Sequence, residues 1–237
     1  MDDRSELTLA NDNPVVNGRK IAPARPDSSL VESIYERTLL RIVKGELAAG
    51  SELKSTRIAA DLGTSRTPVV QALQRLAADG LVTLAPNKRA TVRPGADRWL
   101  IEIHELRELL EPAAAAHAAS RISEDDLVRL EELARRANSQ AEPGWASAAQ
   151  EFDFALHLTV ADCCGNFALG EALRKIWTFK RISYLASPEP METLARAYGE
   201  HLALLEALQR RDSETSRAAM LFHLRSARAL QREHNIV

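Results

Sequence analysis

The stretch Leu53–Leu81, LKSTRIAADLGTSRTPVVQALQRLAADGL, decides how the chain is read. Ile58, Ala59 and Leu62 recur at helical spacing and give a first short helix one apolar face. Gly63-Thr64 breaks that pattern, and glycine is the residue that turns a chain there without strain. Ser65 is placed to cap a second helix, Pro68 falls in its first turn where no backbone N–H is required, and Gly80 ends it. Val69, Ala72, Leu73 and Leu76 form the inward stripe, which leaves Arg66, Thr67, Val70, Gln71, Gln74 and Arg75 outward or at the exposed start. Two helices about a glycine turn, the second tipped with Ser-Arg-Thr, form the arrangement that sets side chains into a DNA major groove.

Working outward, Ser29 to Lys44 carries Leu30, Ile34, Leu39, Leu40 and Val43 at helical spacing and predicts a helix packed behind the pair. Beyond Gly80, Leu81–Ala85 and Ala90–Arg93 read as two short strands about the turn Pro86-Asn87-Lys88-Arg89. That hairpin completes a winged helix-turn-helix over residues 29–94, and Pro94-Gly95 marks its boundary. Residues 1–28 are polar, without apolar period, and are expected to form a disordered arm. Charge follows the same division. Residues 29–98 hold 11 Lys+Arg against 7 Asp+Glu, and residues 99–237 hold 16 against 21. A basic module on an acidic remainder suits a DNA reader joined to something else. Arg66 and Thr67, with Ser65, are the leading DNA-contact candidates; Arg57, Gln71, Arg75, Lys88 and Arg89 follow.

Residues 97–234 read as helical throughout, rich in Ala, Leu, Glu and Arg. The expected helices are Asp97–Ser120, Ser123 to about Ser139 behind a capping box with Asp126, and one through Phe152, Leu156 and Val160 to Cys164. A long helix through Trp177 and Tyr184 follows Gly165-Asn166, then Met191–Arg210 beyond the break at Ser187-Pro188. A last helix, capped by Asp212 or Ser213, runs to about Glu233. The fold class is therefore mainly α, a winged helix-turn-helix followed by an all-α bundle. The two cysteines, Cys163 and Cys164, are adjacent and give no disulfide framework, which points to a reducing compartment. No apolar run reaches membrane-spanning length and the start lacks a signal peptide's pattern, so the cytoplasm is the expected location, with no membrane partner.

Four residues of the bundle carry chemistry. Asp153 and His157 stand four apart and share one helix face; His201 and His223 lie on two later helices. Three imidazoles and a carboxylate suit a borderline divalent metal, Zn foremost, with Ni, Co, Fe or Mn also possible. On spacing alone the same residues read more readily as surface groups or satisfied core histidines.

Resemblance adds to both halves. SRTPVVQALQRLAADGLV resembles the DNA-reading segment of GntR-family transcription regulators, roughly S-R-T-P-V-R-E-A-L-x-x-L-x-x-x-G-L-V. Two departures stand out: Val70 replaces an arginine that touches DNA, and Gln71 replaces a glutamate. Arg89 occupies the wing tip where the family usually has glycine. FDFALHLTVADCCGN is similar to the D-x-x-F-H-x-x-x-x-x-x-x-G-N stretch of the FCD ligand-binding domain of FadR-like members, with Leu156 before His157 as a departure. ELRELLEPAAAAHAA resembles that domain's opening helix, and the likeness spans residues 29–234. It implies Asp153, His157, His201 and His223 as ligands of a divalent metal, with a small organic acid as effector above it. It also implies Arg107 as an effector contact; the alternative is an intrahelical pair with Glu111 or Glu108. Asn166 is a second effector candidate, although capping the following helix suits it better. His104 and His117 read as packing or surface residues.

The expected function is an effector-controlled transcription regulator, a repressor, binding a palindromic operator as a homodimer joined mainly through its helical domain. Two alternatives stay beside it: a metalloenzyme using the Asp/His3 site, and a regulator that senses the metal itself. An enzyme would lack the glutamate of an H-E-x-x-H motif and would leave the DNA reader unexplained.

Overall fold

The computed structural model describes residues 26–85, 89–138, 143–186 and 189–233. The expected arm lies almost wholly outside them, as do Lys88 and the break at Ser187-Pro188. The N-terminal part comprises α1 (Pro26–Val43), β1 (Glu52–Leu53), α2 (Ser55–Asp61), α3 (Arg66–Ala78), β2 (Val82–Leu84) and β3 (Ala90–Val92). Pro26 sits in the first turn of α1, where its missing N–H costs nothing. Gly63 turns the chain between α2 and α3 at φ +61°, in the left-handed region that a side chain disfavours. Ser65 holds the N-cap position of α3 with extended backbone, but its hydroxyl makes no capping bond.

The inward stripe of α3 is the predicted one: Val69, Ala72, Leu73 and Leu76 are buried, against Ile34, Tyr35, Leu39 and Ile42 of α1 among others. β2 and β3 pair antiparallel with Val82 opposite Val92 and Leu84 opposite Ala90. Sequence reading misses β1, which adds to the far side of β3 through Glu52 opposite Thr91 and Leu53 opposite Ala90. Two residues are too few to show alternation, so only the fold reveals that strand.

A single 3-10 turn, Ala96–Arg98, leads into α4 (Trp99–Ala119), followed by α5 (Glu124–Arg136), α6 (Trp145–Cys163), α7 (Phe167–Ala186), α8 (Met191–Gln209) and α9 (Ser213–Glu233). α4 is central and packs on α6, α7, α8 and α9. Ser123 accepts from the Asp126 amide at 3.1 Å, the expected cap of α5, and Asp212 caps α9 through the amides of Glu214 and Thr215. Gly170 allows α7 to lie close on α6; a Cβ there would stand 2.8 Å from the Ala161 carbonyl oxygen.

The two parts meet through α7. Lys175 Nζ lies 2.7 Å from Asp79, which ends α3, and Tyr35 of α1 donates to the same carboxylate at 2.6 Å. Arg181 of α7 pairs with Glu36 of α1. No helix among the described residues is long and apolar enough to cross a membrane.

Candidate metal site and DNA-reading surface

Asp153 and His157 project from one face of α6, His201 comes from α8 and His223 from α9, and all four are buried. His157 Nε2 lies 3.3 Å and His223 Nε2 3.2 Å from His201 Nε2. Asp153 Oδ1 stands 3.3 Å from His157 Nε2 and 3.2 Å from His201 Nε2. The spacing along α6 and the order of the later helices therefore do bring the four predicted residues together.

What their outer nitrogens touch gives this cluster its chemical meaning. Glu111 of α4 accepts from His157 Nδ1 at 2.5 Å, and Glu200 of α8 accepts from His223 Nδ1 at 2.9 Å. A carboxylate on Nδ1 fixes the proton there and leaves Nε2 as a lone pair. Burial pushes the pKa of His157 down and that of His223 well down, so both rings are neutral. Burial alone would raise the pKa of Asp153; the facing His201 outweighs it and holds the carboxylate well below its ordinary range. Two imidazole lone pairs and a carboxylate oxygen thus face His201 Nε2, which can offer at most one hydrogen. One proton cannot serve three acceptors, whereas one cation can serve every group. The separations also suit ligands around one ion, since Zn–N bonds of about 2.0–2.1 Å set tetrahedral neighbours roughly 3.3–3.4 Å apart.

Glu111 is the residue that sequence reading underrates. Besides His157 it accepts from Arg107 Nε at 2.5 Å and from the Trp177 indole N–H at 3.1 Å, all within the buried interior. Burial would raise its pKa, yet the Arg107 charge and His157 hold it at about 2. Arg107 lies over the Trp177 ring at 4.4 Å, and that ring is tilted against His157 at 4.4 Å between centroids. The intrahelical pair weighed for Arg107 is therefore formed, with Glu111 as partner. Glu200 escapes notice for a similar reason: it directly precedes His201, yet it supports His223 on the next helix. Its other oxygen accepts from Ser226 at 2.6 Å.

Asn166 is not part of the cluster. It is exposed at the start of α7, where its side chain accepts from the Leu169 amide at 3.1 Å and caps that helix. His104 is buried, 2.8 Å from the Leu224 carbonyl, with its pKa lowered to about 4 chiefly by burial; His117 is exposed. Cys164 is buried and Cys163 half-buried, its thiol pushed up to about 11 by burial and Asp126.

On the other part, Arg57, Ser65, Arg66, Thr67, Gln71 and Arg89 are exposed. Arg75 is exposed too but is engaged elsewhere: it pairs with Glu32 of α1 and stacks 4.5 Å from the Tyr35 ring centroid. Arg89 faces Glu52 at 3.6 Å across the small sheet. Arg66 and Thr67 form the free first turn of α3, where backbone N–H groups also favour phosphate.

Comparison with known proteins agrees with both halves. The family profile described as bacterial regulatory proteins, gntR family, matches residues 30–92, and that of the FCD domain matches residues 102–226. The HTH-type transcriptional repressor RspR of Escherichia coli K12 is 27% identical over 225 residues, covering 91% of this chain and 95% of that one. The HTH-type transcriptional regulator McbR of the same organism is 30% identical over 176 residues, covering 73% and 79%. The solved structure of E. coli McbR/YncC superposes with a TM-score of 0.63 at 25% identity, over 87% of this chain and 98% of that one. These relatives are regulators, and the metalloenzyme alternative falls with them. The chain belongs to the GntR family of DNA-binding transcription regulators, with a winged helix-turn-helix followed by an FCD domain.

Proposed function

We propose that the protein is a homodimeric repressor of a palindromic operator, controlled by a small organic acid bound beside a divalent ion in the FCD domain. The observation that carries this reading is that ligand atoms of three histidines and Asp153 lie within 4.8 Å of one another inside a buried bundle. Asp153, His157, His201 and His223 would hold the ion; Zn suits this donor set, as do Ni, Co, Fe and Mn. When bound, the ion supplies a Lewis-acid anchor for a carboxylate. The chain's own residues do the rest. Glu111 and Glu200 orient the rings, and Trp177, packed edge-on against Phe154 at 5.1 Å, closes the apolar side. Arg107 supplies a guanidinium for the effector carboxylate and shares the Glu111 carboxylate with His157.

Sequencing DNA fragments retained by the protein would give the operator, and anisotropy with that DNA tests control. Organic acids should shift the operator affinity of Zn-loaded protein by roughly 5–150-fold, the usual scale of such coupling. An affinity unmoved by every acid but moved by Zn alone would instead favour the metal as signal. For DNA contact, Arg66→Ala should weaken operator binding by about 1–3 kcal/mol at matched salt. Unchanged affinity would remove Arg66 from the interface.

The contact between the two parts supplies a route for the signal. Trp177 touches Arg107, His157 and Glu111, while Lys175, two residues earlier on α7, holds the end of the recognition helix through Asp79. Lys175→Ala should leave metal content intact and reduce the effector's shift of operator affinity; an undiminished shift would exclude this route. For the dimer, α4 and α9 run antiparallel, as His104 beside Leu224 and Arg211 beside Ile122 show. Both expose large apolar side chains, Leu109 at 75% and Phe222 at 65%. These exposed side chains make α4 and α9 the candidate contributors to the contact between copies. Phe222→Asp should give a monomer by light scattering with weakened operator binding.

A further inference from the structure

The outward half of α3 is almost devoid of charge beyond its first turn. With 100° between successive residues, Thr67, Val70, Gln71 and Gln74 share the half of the helix turned from the buried stripe Val69, Ala72, Leu73 and Leu76. Thr67, Gln71 and Gln74 are exposed and Val70 is half-buried. Half-buried Ile58, Leu62 and Ala77 of the same motif spend their surface on the apolar core; Val70 does not share that orientation. The one cation further along, Arg75, is drawn toward α1 by Glu32 and the Tyr35 ring. The face is thus a β-branched apolar side chain flanked by two carboxamides.

That composition selects among base pairs. Guanine presents two acceptors in the major groove and is read by Arg or Lys forks, which this part of the helix does not offer. A thymine presents its C5 methyl, and its adenine partner presents the donor–acceptor pair that a carboxamide matches. We propose that Val70 is a specificity-determining residue of the recognition helix, packing against the C5 methyl of a thymine, with Gln71 or Gln74 on the adjacent adenine edge. The contact discriminates by burying one methyl group, not by charge, so it should depend little on salt.

The test begins with the operator selected by the wild-type protein from random duplex DNA, and then replaces each thymine singly by deoxyuridine, which lacks only that methyl. Wild-type protein should lose about four-fold in affinity at one thymine of each half-site, the equivalent of about 0.8 kcal/mol for one buried methyl-sized group. Val70→Ala should bind thymine and uracil equally there and keep wild-type responses elsewhere. Val70→Thr, which retains one methyl in place, should keep part of the discrimination. A wild-type scan that is flat at every thymine overturns the proposal without recourse to any variant. So does a uracil effect that persists unchanged in Val70→Ala, or one that disappears in Thr67→Ser instead.

Discussion

Glu111→Ala is expected to lower the stability of the apoprotein by about 3–5 kcal/mol, the usual cost of removing one partner from a buried ion pair. The carboxylate accepts from Arg107, His157 and Trp177 at once, so its loss deprives three buried donors of the acceptor they share. Glu111→Gln separates the electrostatic part from the orienting part. The amide keeps an oxygen for Trp177 and Arg107 but sets an N–H donor or a weaker acceptor against His157 Nδ1. The ring then no longer presents its Nε2 lone pair reliably, and metal affinity should fall about 10–100-fold, as for other residues that orient a metal-ligating histidine. Urea unfolding and competitive Zn titration read the two effects separately. A loss below about 1 kcal/mol for the alanine variant would show that the hub is incidental.

The second large effect concerns the proposed metal ligands. His201 Nε2 stands 3.3 Å from His157 Nε2 and 3.2 Å from both His223 Nε2 and Asp153 Oδ1, so it approaches each of the other three groups. His201→Ala should reduce Zn affinity by more than the roughly 100-fold upper range for residues behind a ligand, because it removes a bond to the ion itself. His223→Ala should behave alike. In both, basal operator binding should persist, since α3 and the sheet lie in the other part of the chain, while the effector response is lost. Arg107→Ala should keep the metal and weaken the effector response, with a loss of stability of the kind expected for Glu111→Ala because it removes the other partner of that buried pair. Equal Zn affinity in wild type and His201→Ala, by the same titration, would contradict this assignment.

Much of the molecule is legible from residue order because its signals are local. The glycine turn at Gly63, the stripe Val69–Leu76 and the Ser123–Asp126 cap each depend on neighbours within one helix or turn, and the structure keeps all three. Pro112 is carried inside α4, as the long helix read there requires. The Asp153–His157 pairing is local too, since four residues always share a helix face. Bringing His201 and His223 to that pair is a tertiary fact, which spacing leaves open and the likeness to FCD domains implies. The supporting carboxylates could not be read at all. Glu111 is one acid in a helix that also holds Glu102, Glu105 and Glu108, and only the packing of α4 on α6 selects it. Arg75 differs in the opposite sense: on the helix wheel it points outward, but Glu32 and Tyr35 of α1, forty or more residues earlier, engage it.

The most direct test of the central claim is the metal content of wild-type protein. After incubation with excess Zn or Ni and exhaustive dialysis, elemental analysis should find about one divalent ion per chain, and the same treatment of Asp153→Ala should leave little. Wild-type protein that emerges metal-free from both incubations would contradict the four-residue site, and with it the effector mechanism built on that site.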